Sequence, residues 1–266
     1  MNIIRKNFDY IGTPLLAGLF GMLFFLESKY QLRKRVQNRW SRIKINATVA
    51  APSFILLRLM FVPAMVYLAQ RNVPVRKTLG LVVPSTVLRQ VLAFLFLDYS
   101  NYLWHILNHQ IPLLWRFHLV HHTDKDLDIT TAFRFHFGEM IGSLIYRGAC
   151  TYLSGATPLS VIVYEIVFEA ATEFHHSNTR LPLQVEQALS KLIVTPRMHG
   201  VHHSVNRSET DSNFSVIFSC WDRLHQTMNL NVQQSDLIIG VPGYLRSEEL
   251  SSKFLLRLPF GEIRKG

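Results

Sequence analysis

The residues of this chain best suited to chemistry are its histidines, all of which fall between His105 and His225, most of them in three spaced boxes. The first box is His105-x-x-x-His109, the second His118-x-x-His121-His122 and the third His199-x-x-His202-His203. On a helix, residues three and four apart share a face with Cβ atoms roughly 5–6 Å apart, so the rings of one box can point into a common space. Imidazole binds iron, zinc, copper and nickel, and residue type alone does not choose among them. Donor number narrows the choice: structural zinc takes four ligands and catalytic zinc three, whereas so many histidines suit two cations. The boxes are nearly free of carboxylates, unlike soluble di-iron bundles built on Glu and Glu-x-x-His.

Other residues extend the set. Glu173-Phe174-His175-His176-Ser177-Asn178 offers His175 or His176 as further ligands. Asp98, Tyr102, His105 and His109 form one polar stripe on a helix whose neighbours are apolar. A carboxylate and a phenol on that stripe suit supporting roles, because a ligating imidazole usually donates its other N–H to an oxygen. His136, near Arg134 and Glu139, reads as a hydrogen-bonding or structural residue, and His225 beside Trp221 as packing.

These boxes need elements that bring them to one place, and composition says where. Hydrophobic residues make up 48% of the chain and charged residues 17%, with the apolar positions gathered in long blocks. That pattern predicts an all-α, integral-membrane bundle of about three spanning helices and a helical hairpin, capped by a cytoplasmic histidine-rich helical region. The blocks are Tyr10–Leu26, preceded by Arg5 and Lys6 and read as an uncleaved anchor, then about Ala47–Ala69 and Leu79–Trp104. The block Met140–Ala171 is broken by Ser154-Gly155-Ala156-Thr157-Pro158 and reads as two short helices that dip into the bilayer and return. Gly138 and Gly142 at its entry suit close helix packing. A hairpin keeps the histidines on its two flanks in one compartment.

The net charge is +10, but the basic residues cluster in short loops beside the apolar blocks, which argues for topology and headgroup signals rather than a nucleic-acid surface. Lys29, Arg33, Lys34, Arg35, Arg39, Arg42 and Lys44 between the first two blocks put that loop, and with it the boxes, on the cytoplasmic side. Cys150 and Cys220 read as packing residues rather than a disulfide. The expected organisation is N-terminal membrane helices over 1–97, a catalytic region over 98–230 with its hairpin at about 140–171, and a C-terminal cytoplasmic segment over 231–266. Within that segment a short amphipathic helix is expected around Ser247–Leu256.

Box order, spacing and hairpin together resemble the sterol desaturase and fatty acid hydroxylase superfamily. Asp98-Tyr99, Thr131-x-x-Arg134-x-His136-x-x-Glu139, His176-Ser177-Asn178, Asn213-Phe214 and Trp221-Asp222-Arg223 add to the match over roughly residues 90–230. The resemblance implies a membrane di-iron enzyme that uses dioxygen to hydroxylate or desaturate a lipid. It implies His105, His109, His118, His121, His122, His199, His202 and His203 as ligands, joined by His175 or His176. Asp98, Tyr102, Arg134, His136, Glu139 and Asn178 are expected to support them. The chain departs from the fatty acid hydroxylases at Ala171, where their middle box carries another histidine, and at Leu224-His225-Gln226. No dinucleotide-binding glycine fingerprint or haem-attachment pair is present, so electrons must come from a partner protein. Two further readings stand beside this one: a membrane zinc hydrolase acting on lipids, and a metal carrier or sensor.

Overall fold

The structure is a computed structural model that describes residues 8–246 and 250–264, and within them it is helical, with no strand. Helix α1 covers Thr13–Lys29 and carries on from a π turn at Phe8–Gly12. Leu15, Met22 and Phe25 face outward from it, the inverse of a water-soluble surface helix and what a lipid surround calls for. Arg5 and Lys6 lie outside the described residues. The second block is a single helix α2 over Arg39–Arg71, 33 residues long and therefore about 50 Å, more than the ~30 Å hydrocarbon core requires. Asn38 starts it by accepting from the Ser41 N–H. It opens into a π segment at Leu57–Phe61 just before Pro63. The extra residue there spares the helix the clash and missing N–H that proline imposes on a regular turn.

The third block departs from expectation. It is two helices, α3 (Val73–Val82) and α4 (Thr86–Gln110), bent by 115° at the break between them. Pro84 removes a donor and drives Val83 into an extended conformation, so the helix cannot continue. Ser85 caps α4 by accepting from the Leu88 N–H, and Arg89 reaches back to the Val83 and Pro84 carbonyls that the break orphans. Among the described residues there are thus two unbroken helices long and apolar enough to cross a membrane, and a third span only if the bent pair is counted as one. It is an integral membrane protein.

After α4, Pro112 starts α5 (Pro112–His122) at once. The expected hairpin follows as α6 (Phe137–Leu153) and α7 (Pro158–His176). Gly155 turns the chain at φ +64°, a conformation glycine adopts without strain, and Thr157 then caps α7 by accepting from the Ser160 N–H. The arms are splayed: the C-terminal third of α2 packs against both, and the Arg147–Glu165 ion pair ties them at 2.7 Å. Phe61, Met65 and Ala69 of α2, Ala93 and Leu97 of α4, and Val161 and Tyr164 of α7 form the common core. Inside a bilayer such a core is held by close packing rather than by release of water.

Gly138 and Gly142 meet the neighbours that their spacing suggests. A Cβ on Gly138 would fall 2.3 Å from the Phe117 ring of α5, and one on Gly142 would fall 3.3 Å from Trp104 of α4. Gly138→Val should therefore lower thermal stability by about 1–3 kcal/mol through overpacking, whereas the same change at Gly18, with open space around it, should leave the melting temperature in place. The chain closes through short α8 (Leu183–Leu189) and α9 (Pro196–His202), two further helical turns at Arg207–Thr210 and Cys220–Leu224, and α10 (Ser252–Arg257). Leu255 of α10 packs with Val49, Leu119 and Val120, which seats the C-terminal segment on α2 and α5. Ser247, Glu248 and Glu249 of the expected amphipathic helix lie outside the described residues. Cys150 and Cys220 are free thiols.

Candidate metal centre

Four helices bring nine imidazoles into two compact groups. The nitrogens of His105, His109, His118, His122 and His202 lie within 4.8 Å of one another, and so do those of His121, His176, His199 and His203. Each three-histidine box divides between them. His118 and His122 go one way and His121 the other; His199 and His203 go one way and His202 the other. Helix geometry explains the division, since residues i and i+4 are about 40° apart around the axis and residue i+3 lies about 60° to the other side. The groups adjoin, with the His122 and His203 rings stacked at 4.3 Å between centroids. His175 stands beside the second group without joining it, its ring 4.2 Å from that of His199.

The far side of the rings is fixed from outside. Nδ1 of His105 faces the Phe214 carbonyl at 2.8 Å, that of His176 faces Thr172 O at 2.8 Å, and that of His202 faces Ser212 O at 2.8 Å. A carbonyl only accepts, so in each of these rings Nδ1 carries the hydrogen and Nε2 keeps its lone pair. Nδ1 of His118 meets Glu139 Oε1 at 2.9 Å in the same manner. The freed Nε2 atoms converge: His176 Nε2 lies 3.0 Å from His121 Nε2 and 2.9 Å from His199 Nε2. A lone pair facing two other imidazole nitrogens calls for a proton or a cation.

Hydrogen bonds within the protein leave much of this set unanswered. Seven buried imidazole nitrogens have no hydrogen-bond partner among the described residues, including both nitrogens of His109 and Nε2 of His202. Each buried unsatisfied group costs about 1–3 kcal/mol, and a cation at the first focus would answer Nε2 of His202 and one nitrogen of His109. Protons would not serve. Burial first, and then the neighbouring imidazoles, hold His121, His122, His199, His202 and His203 well below the ordinary histidine range, so they stay neutral and able to ligate. The donor set fits metal.

The six residues expected to support the ligands take different places. Glu139 is the one among them whose side chain bonds to a box imidazole. Asp98 instead accepts from the Ile217 and Phe218 N–H groups and from Trp221 Nε1, fixing the loop whose Phe214 and Val216 carbonyls face His105 and His175. Arg134 donates to Val120 O, Thr123 Oγ1 and Asn46 Oδ1, which closes the C-terminal end of α5 just where it carries its histidines. Asn178 exchanges hydrogen bonds with the Arg33 backbone. Tyr102 points away, to Thr227 Oγ1, and stacks on His225. His136 caps α6 by accepting from the Gly138 N–H, and its other nitrogen donates to Leu256 O. His225 lies in an aromatic stack with Tyr99 and Tyr102, in line with its reading as packing. Ala171 packs against the common core.

Sequence reasoning passed over a charged framework under the site. Arg42, expected only as a topology signal, is 1% exposed and pairs with Asp124 at 2.7 Å and Asp128 at 2.6 Å. It also donates to the Asp126 carbonyl, while Asn46 bridges Asp124 and Thr130. Burial would raise the Asp124 carboxyl, but Arg42 and Arg134 prevail and hold it well below the usual carboxylate range. Glu27, fully buried near the end of α1, accepts from the Ile129 and Asn178 N–H groups and from Arg39. The signal was available in Asp124-x-Asp126-x-Asp128, which begins two residues after the second box. Asn213 adds a backbone device: at φ 52° it adopts a conformation that asparagine tolerates, and it bonds Met198 O and Asn229 O.

Beside the two groups lies a cavity of about 140 Å³, walled by apolar side chains such as Phe54, Leu57, Phe133 and Met140 and reaching His105, His121 and His199. The site thus sets metal-type donors against an apolar chamber.

Comparison with known proteins agrees with this arrangement. The chain is 30% identical over 177 residues to ornithine lipid hydroxylase OlsE of Rhizobium tropici, an alignment that covers 66% of this chain and 51% of that protein. It is 30% identical over 170 residues to alkylglycerol monooxygenase of Danio rerio, covering 64% of this chain and 36% of the other. With cholesterol 25-hydroxylase of Rattus norvegicus the identity is 26% over 168 residues, covering 62% and 55%. The chain thus spans about half the length, or less, of these relatives. No solved structure matches it. The fatty acid hydroxylase family model matches residues 90–227, the stretch that holds every imidazole of the two groups. The chain belongs to the fatty acid hydroxylase family.

Proposed function

We propose that this protein is an integral-membrane di-iron oxidoreductase that hydroxylates or desaturates a lipid, using dioxygen and electrons from a separate donor protein. The observation that carries the reading is the pair of imidazole groups, five and four donors, opening on an apolar cavity. His105, His109, His118, His122 and His202 would hold one ion, and His121, His176, His199 and His203 the other, with His175 in reserve beside them. Iron bound there would supply the redox chemistry that activates dioxygen toward an unactivated C–H bond. The protein's own part is to keep the rings neutral, aim their Nε2 atoms and exclude water, while the apolar wall receives a lipid chain. The names of the relatives, three lipid hydroxylases or monooxygenases, support a lipid substrate. The basic stretch from Lys29 to Lys44 supports a cytoplasmic location for the boxes, the side on which electron donors would be met.

A zinc hydrolase accounts for the site less well, because zinc is satisfied by three or four donors at a single focus. A carrier would string its donors along a path across the bilayer, whereas these gather at one place. The test is metal analysis of the purified protein together with lipid mass spectrometry of membranes with and without it. Iron, oxygen consumption and a lipid gaining one oxygen or losing two hydrogens are expected. Zinc with oxygen-independent release of a lipid fragment would refute the reading.

A further inference from the structure

The cavity has a second polar end that the imidazoles do not use. Arg147 of α6 and Glu169 of α7 line it. Arg147 is eight residues beyond Glu139, about 12 Å along the helix, and Glu169 is six residues before His175, about 9 Å. Arg147 is 6% exposed, and its Nη2 donates to both Glu165 oxygens at 2.8 and 2.7 Å. The guanidinium lies between the Phe61 and Phe168 rings, 4.8 and 4.3 Å from their centroids. That one nitrogen suffices to tie the hairpin arms. Arginine has five N–H groups, and among the described residues no acceptor meets Nε–H or Nη1–H.

Glu169, one turn from Glu165, adds a carboxylate to which no described residue donates, so the guanidinium is outnumbered by two carboxylates. Burying a charge is costly, and a buried guanidinium that turns unused donors toward a cavity is placed to meet a ligand. The donors of Arg147 and the acceptor of Glu169 lie on the same chamber. Their complement is a group carrying both an acceptor oxygen and a donor hydrogen.

We propose that Arg147, with Glu169 beside it, is a specificity-determining residue. It anchors a carboxamide-like polar group of an amphiphilic lipid about 9 Å along α7 from His175 and about 12 Å along α6 from Glu139, which holds His118. The carbon presented to the metal site is then counted from that anchor rather than from the end of the chain. This deepens the lipid-oxidation reading and rests on it for the role of the histidine end.

The test measures binding to the metal-loaded protein in phospholipid nanodiscs, without reductant, by ligand-induced thermal stabilisation with hexadecanamide, methyl hexadecanoate and hexadecane as probes. The wild type should bind the amide about tenfold or more tighter than the alkane, with the acceptor-only ester between them. Replacing the ion pair as a pair, Arg147→Met with Glu165→Met, avoids stranding Glu165 and should bring amide and alkane within about twofold of each other. Arg147→Lys keeps the charge and loses the planar fork, so it should lose most of the preference even if the double variant fails to fold. An equal response of the wild type to all three probes, or an undiminished amide preference in either variant, would overturn the assignment. Because no turnover is needed, a lost preference would leave the oxidation reading standing. A retained preference in a protein that oxidises no lipid would sink that reading alone.

Discussion

Substituting alanine for His121 and His202 together should cost the protein its metal and its activity. Each residue contributes to a different group, so the double change removes one donor from each focus while leaving the helices that carry them intact. Metal content after purification should fall by more than about a hundredfold, beyond the 10- to 100-fold expected when only a supporting contact is lost. Glu139→Gln supplies that milder comparison, since it weakens the bond to His118 Nδ1 without removing a ring. Turnover should follow metal content in both. Full metal loading in the double variant would mean that the two foci are not metal sites.

Arg42→Met is the second change with a large expected effect. It would leave Asp124 and Asp128, both about 1% exposed, without the guanidinium that pairs with both of them. Removing one member of a buried ionic cluster destabilises by about 3–5 kcal/mol, enough to unfold many proteins outright. The pH dependence gives a second readout. Asp124 has a carboxyl pKa depressed in the folded state, so its contribution is present above the ordinary aspartate range, near 4, and is lost as pH falls below that. Wild-type melting temperature should therefore drop between about pH 4 and pH 2, and the variant, in which Arg42 no longer contributes to that depression, should show a shallower slope. A variant as stable as the wild type would mean that the cluster is not holding α2 to the turn after α5.

The apolar blocks of the sequence announced the membrane helices because a spanning segment must be long and apolar whatever it packs against. The hairpin was visible for a related reason: glycine and proline punctuated an otherwise unbroken run at Gly155 and Pro158. The bend between α3 and α4 was hidden by hydropathy, which integrates straight through Val83-Pro84-Ser85, although Pro84 stood there to be read. At the site, spacing indicated that each box shares a helix face. It did not indicate that the face straddles two foci, because the side to which residue i+3 falls matters only when a second helix is in place. Arg42 and Glu27 were invisible for a deeper reason. A charge at the end of an apolar block looks the same whether it meets lipid headgroups or turns inward, as Arg42 does to the Asp124 carboxylate and Glu27 to the Ile129 and Asn178 N–H groups, some eighty to a hundred and fifty residues away.

Because α5 and α9 each send rings to both foci, neither metal position has a scaffold of its own. A sliding or rotation of one helix against the other would alter the two coordination spheres at once, so the interval between them is set by the pitch of the helices rather than by the loops that join them. Insertions in those loops can lengthen the connections without retuning that interval.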